Sequence, residues 1–233
     1  MIIILASRHD TIAHALVAHW EAGTAQVLTP EDLSVRGWRY YPGALHRSTP
    51  VLGGRAVAQE EIHGVLTRLP CVWEQDLGHI VPADRSYVAA EMTAFFLCWL
   101  SELPCPVLNR PTPGCLAGPF WRQEQWVFAA AREGMRVRPI QRQIRRATPS
   151  IPPHQESSAT MVTVVGDRCF GDGDETLQSH ARRLAAVANV DLLGVQFSGP
   201  EAEAAFIGAT LWPEVTATGV ANAILEYFLH LQH

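Results

Sequence analysis

Hydrophobic residues alternate along the chain between short unbroken runs and helical spacings. Ile2 to Ala6 is continuous apolar sequence ending at the polar stretch Ser7 to Asp10, the pattern of a strand covered on both faces. Thr11 to Trp20 then sets Ile12, Leu16 and Trp20 at helical intervals, and Gly23 closes that helix. Ala25 to Leu28 predicts a second strand, and Thr29 to Asp32 a turn able to start a helical turn. Residues 34–60 mix Gly, Pro and Arg with short apolar pieces such as Arg39 to Tyr41, which predicts edge strands or a hairpin. Gly64 to Leu69 reads as a strand, Tyr87 to Leu100 as an apolar helix stopped before Pro104, and Pro106 to Asn109 as a last short buried strand. Strands alternating with helices over about 110 residues predict a mostly parallel, Rossmann-like sheet.

The pattern changes after this region. Leu116 to Glu133 predicts a helix closed by Gly134, with Trp126, Ala129 and Ala130 on its buried face. Residues 138–158 hold Pro139, Pro149, Pro152, Pro153 and several Arg and Ser without apolar periodicity, as expected of a linker or exposed arm. Thr160 to Val165 is a β-branched strand, Gly166 to Arg168 a hairpin turn and Cys169–Phe170 the return. Leu177 to Ala188 predicts a helix, Leu192 to Phe197 and Ala205 to Ile207 strands, and Val220 to Leu231 a closing amphipathic helix. The expected organisation is an α/β domain over 1–115, a bridging helix over 116–134, a Pro/Arg-rich linker over 135–159 and a second domain over 160–233.

Composition narrows the chemistry. With 233 residues, 48% hydrophobic and 18% charged, the chain can bury a core large enough to offset its conformational entropy. A net charge of −5 and a pI near 6.0 argue against nucleic acid as a partner. The opening apolar run is too short for a signal peptide or membrane span, so no membrane association and a cytoplasmic location are expected. All eighteen basic residues are arginine, so no Schiff base, P-loop lysine or ammonium clamp can form. The five cysteines, Cys71, Cys98, Cys105, Cys115 and Cys169, show no C-x-x-C spacing, which predicts neither a zinc site nor a disulfide framework. Cys98 lies in an apolar helix and is expected to act as a small buried hydrophobe. His9, His14 and His19 recur every five residues, about 140° apart per step on a helix, and cannot converge on one metal. The acidic stretch Asp172 to Glu175 lacks calcium-loop spacing and reads as a turn.

Several blocks, taken in order, resemble the ATP-grasp superfamily, in its ribosomal-protein and peptide glutamate-ligase branch. Ile2 to Ala6 with His9 and Asp10 is similar to that branch's opening strand and Asp-containing loop. Val107 to Pro111 is similar to the strand that ends its N-terminal domain. Arg122 to Trp126, Ala129 and Gly134 resemble the next helix, and Thr163 to Arg168 the valine-rich hairpin of the core. Leu193 to Phe197, Phe206 to Thr210 and Pro213 resemble the paired strands that carry magnesium ligands in the family. The resemblance implies an α/β fold: a Rossmann-like pre-ATP-grasp domain followed by a reduced ATP-grasp α+β domain.

It also implies what has changed. Family members make an acylphosphate from ATP and join it to an amine, which requires lysines and magnesium around the transferring phosphate. Arg122 stands where the first nucleotide lysine is expected, Gln196 where a metal-binding Asp belongs, and Gly208 and Thr210 where a Glu and an Asn belong. Ala159 and Met161 replace the Asp and Arg that precede the hairpin. Residues 135–160 lack the apolar periodicity needed for the family's nucleotide lid subdomain. The implied function is a noncatalytic, pseudoenzyme-like binding, scaffolding or regulatory subunit of a peptide- or cofactor-modifying pathway, without a cofactor. The alternative is an ATP-dependent carboxylate–amine ligase with an arginine-based site. Arg122, Arg138, Arg142, Arg145 and Arg146 form a candidate anion or partner contact, with Trp212 as an aromatic anchor on the cleft face. Expected partners are a second copy or another biosynthetic enzyme, with a peptide or small carboxylate as ligand.

Overall fold

A computed structural model describes residues 1–138 and 159–230. The chain divides into two compact units, one of Met1–Phe120 with Glu214–His233 and one of Trp121–Pro213.

The first unit is built on a four-stranded parallel sheet. β1 (Ile2–Leu5) lies between β2 (Ala25–Leu28) and the strand at Gly64–Thr67, and all four of its residues are buried. This explains the unbroken apolar run, because helices cover both faces of β1. α1 (Thr11–His19) starts where Asp10 Oδ1 accepts the Ala13 amide at 3.0 Å, an N-cap of the usual kind. A hairpin of β3 (Val51–Leu52) and β4 (Arg55–Ala56) turns at Gly53 and Gly54, both at positive φ, the conformation that tight two-residue hairpins require. β5 (Gly64–Thr67) pairs in parallel with β6 (Val107–Leu108), giving the order β2-β1-β5-β6. Between them, α2 (Arg85–Glu102) buries Ala89, Phe96, Trp99 and Leu100 against Ile3, Leu5, Val65 and Val107.

The second unit begins with α3 (Gln123–Arg132). Its sheet is antiparallel: β7 (Thr160–Val165) pairs with β8 (Arg168–Phe170) and with β9 (Leu192–Phe197), and β9 pairs with β10 (Phe206–Thr210). α4 (Glu175–Ala188) lies between β8 and β9 in sequence and is capped by Asp174, whose Oδ1 accepts the Leu177 amide at 2.9 Å. Alternation along the strands sends Val162, Val164, Leu193, Val195, Phe197 and Phe206 into one core with Trp126, Ala129 and Ala130 of α3 and Leu177, Ala181 and Leu184 of α4. Both helices therefore cover the same face of the sheet.

Three expectations are corrected. The helix expected from Leu116 begins only at Gln123; Gly118, with φ +114°, and Pro119 interrupt any earlier turn. The closing helix, α5 (Thr218–His230), packs into the first unit rather than the second. Trp20 Nε1 donates to Ala221 O at 3.2 Å, and the Phe228 ring lies on the backbone of Gly64, where a Cβ would collide with it. Cys98 is exposed on α2, with Tyr40 Oη donating to its Sγ at 3.1 Å, rather than buried. No helix among the described residues is long and apolar enough to cross a membrane. The expected absence of a lid subdomain and most of the expected linker concern residues 139–158, which lie outside the described residues.

Candidate functional site

The face of the second unit's sheet turned away from α3 and α4 collects the residues singled out by the resemblance. Met161 on β7 stands opposite Gln196 on β9, and Gln196 opposite Gly208 on β10. Directly opposed residues share a face, so these three make one cross-strand row. The next row is Thr163, Gly194 and Thr210. A Cβ on Gly194 would meet Thr210 Cγ2 at 3.0 Å, Pro213 Cβ at 3.0 Å and Met161 Sδ at 3.1 Å. The absence of a side chain at Gly194 is what lets Met161 and Thr210 close over β9. Met161 remains 40% exposed. A one-residue bulge between Phe206 and Gly208 sends Phe206 to the core while Gly208 and Thr210 take the open face.

The chemistry of this face is that of a thioether, a primary amide, a bare backbone and a hydroxyl. Magnesium sheds its hydration shell reluctantly and is ordinarily held through one or two carboxylates, so these residues do not fit a Mg²⁺ ion. Among the described residues, no group of three or more His, Cys, Asp or Glu side chains is placed to hold a metal ion.

The remaining sequence candidates divide. Ala159 directly precedes β7 and is half-buried. Arg122 is exposed at the N-cap of α3, where its amide donates to Gln125 Oε1 at 2.9 Å. Gln123 Nε2 donates to Ile207 O at 2.6 Å, tying the start of that helix to the edge strand β10. Arg138 is exposed, and Arg142, Arg145 and Arg146 lie outside the described residues. Trp212 is half-buried and packs against the core cluster of its unit. Leu211 enters the same core as the chain leaves β10, and Trp212 follows it.

Sequence reasoning missed most of a polar cluster at the carboxyl ends of the parallel strands in the first unit. Arg68, following β5, directs Nε to Asp10 Oδ2 at 2.8 Å. Ser7, following β1, donates to Asp76 Oδ1 at 2.6 Å, and the buried Asp76 also accepts the Trp73 amide at 3.1 Å. The Glu214 carboxyl is held below its ordinary range by hydrogen bonds from the Thr216 hydroxyl and amide, with Arg68 adding to the effect. The available signal was the Ser7 to Asp10 loop placed straight after a buried strand, where parallel sheets present polar side chains. Arg68 and Asp76 had no comparable marker in the sequence.

No known family profile and no curated relative matches this sequence. The fold, however, has solved counterparts along its whole length. The macrocyclase MdnC from Microcystis aeruginosa MRC, bound with precursor peptide MdnA, superposes with a TM-score of 0.70 at 10% identity, covering 98% of this chain and 99% of that one. A RiPP-associated ATP-grasp ligase from Chryseobacterium gregarium, in complex with ADP and a leader and core peptide, gives 0.67 at 11% identity, covering 99% and 96%. The macrocyclase MdnB from Microcystis aeruginosa MRC gives 0.65 at 14% identity, covering 98% of each chain. Over its whole length the chain therefore has the fold of these two macrocyclases and of the ATP-grasp ligase.

Proposed function

We propose that this protein is a noncatalytic ATP-grasp-like subunit of a peptide-modifying pathway, which binds a peptide and does not activate a carboxylate with ATP. The observation that carries this reading is the cross-strand row Met161–Gln196–Gly208 with Thr210 beside it. A catalytic ligase needs positive charge and metal at that place to stabilise the transferring phosphoryl group, and the row presents only neutral groups. The complete absence of lysine supports the same conclusion. Fold likeness to proteins solved with precursor or leader and core peptides supports peptide as the ligand class. Fold alone does not carry chemistry when the reacting groups have changed. The reading includes the loss of the nucleotide lid between Gly134 and Thr160.

The test is ATP cleavage in the presence of Mg²⁺, a carboxylate-bearing peptide and an amine. Phosphate release is expected to equal that of buffer. The variant Gln196→Asp/Gly208→Glu/Thr210→Asn is expected to remain inactive, since ligands alone do not supply the lid. Peptide-dependent phosphate release by the wild type would instead establish the arginine-based ligase.

A further inference from the structure

The loops that follow β5 and β6 bring two of the five cysteines together. Leu116 donates its backbone amide to Pro70 O at 2.8 Å. That hydrogen bond joins the peptide unit shared by Pro70 and Cys71 to the one shared by Cys115 and Leu116. In a trans peptide the carbonyl oxygen lies on the same side as the following Cα, and the amide hydrogen on the same side as the preceding Cα. The Cα atoms of Cys71 and Cys115 are therefore the ones that flank this bond. Standard backbone dimensions place them no more than about 6.5 Å apart, within the Cα separation of up to about 6.8 Å that a disulfide spans.

The side chains meet as well. Both are free thiols; Cys71 is half-buried and Cys115 is 2% exposed. Cys115 Sγ accepts the Ala117 amide at 3.4 Å. Burial raises the Cys115 thiol above its ordinary range, and the sulfur of Cys71 is close enough to add to the rise. Cys98 and Cys169 have other neighbours, the Tyr40 hydroxyl and Gln178 O.

We propose that Cys71 and Cys115 form a redox-responsive pair that closes to an intramolecular disulfide by exchange with a low-molecular-weight disulfide. Their unequal exposure sets the order of events. The Cys71 thiolate attacks the external disulfide, forms a mixed disulfide and releases one thiolate. The Cys115 thiolate, reached only from within the fold, then attacks the Cys71 sulfur and releases the second. Two protein thiols are oxidised, one external disulfide is reduced to two thiols, and the two protons lost by the cysteines pass to the leaving thiolates. The loop after β5 also carries Asp76, which accepts the Ser7 hydroxyl from the loop after β1. The cross-link thus fastens together three loops at the carboxyl ends of the parallel strands, and closes a long loop that contains α2 and β6, which restricts the unfolded chain.

The test is incubation of the folded full chain with oxidised glutathione at mildly alkaline pH, followed by alkylation and peptide mapping without reductant. The peptides of Cys71 and Cys115 are expected to be joined, with a mass loss of about 2 Da that dithiothreitol reverses. Cys115→Ala should stop at the first step and carry one glutathione on Cys71. Cys71→Ala should leave Cys115 unmodified. Far-UV circular dichroism checks that each variant keeps its fold, and the oxidised wild type should melt about 5 °C or more above the reduced one. Free thiols at both positions, a separate glutathione on each, or a cross-link from Cys71 to another cysteine would overturn the proposal. So would a Cys71–Cys115 cross-link that forms only in urea or fails to raise the melting temperature.

Discussion

Arg68 and Asp10 form a nearly buried ion pair: Nε to Oδ2 is 2.8 Å, and the two side chains are 6% and 16% exposed. Asp10 uses its other oxygen to cap α1, so one carboxylate joins the end of β5 to the start of a helix. Removing one partner of a buried pair leaves an uncompensated charge, at a cost of about 3 kcal/mol or more. Asp10→Asn keeps the cap and loses the charge, whereas Asp10→Ala loses both. Urea unfolding is expected to rank wild type above Asp10→Asn, with Asp10→Ala lower by about a further 1 kcal/mol. Equal stability of all three would show that the pair is solvated.

Glu214 gives the same region a pH dependence. Its folded-state pKa is lowered, chiefly by the Thr216 hydroxyl. A depressed carboxyl stabilises the fold above its unfolded value, and that contribution is lost as the pH falls through the folded value. Thr216→Val should raise the pH of acid unfolding. An unchanged acid transition would count against the interaction.

Gly64 is where α5 meets the sheet. Because a Cβ there would collide with the Phe228 ring, Gly64→Ala should destabilise by about 1–3 kcal/mol through overpacking. Adding Phe228→Leu should recover part of this loss, giving a sub-additive double variant in thermal unfolding. Full additivity would place α5 away from β5.

Much of the first unit was legible because β1 is covered on both faces and therefore reads as uninterrupted apolar sequence. The common face of Gln196, Gly208 and Thr210 was legible because each lies in a recognisable strand, whose alternation predicts it. The placement of α5 was not legible, since an amphipathic helix states which of its faces is buried but not against what. The start of α3 was misplaced because Gly118 and Pro119 were outweighed by the apolar residues around them. Arg68 carried no marker at all, because a buried cation is recognised only by its partner.

The cysteines should separate by environment. Burial pushes the Cys105 thiol up to about 11 and also raises that of Cys115, while Cys98 is exposed. Since the thiolate is the nucleophile, iodoacetamide at mildly alkaline pH should label Cys98 first and Cys105 and Cys115 slowly, read by peptide mass spectrometry. Early labelling of Cys105 would contradict the structure.

The central claim is that the open face of the antiparallel sheet no longer holds a magnesium nucleotide. Isothermal titration of the full chain with ATP, with and without Mg²⁺, tests it most directly. The expected result is no saturable heat at millimolar nucleotide in either condition. A single Mg²⁺-dependent site, weakened by substitution of Gln196 or Thr210, would contradict it.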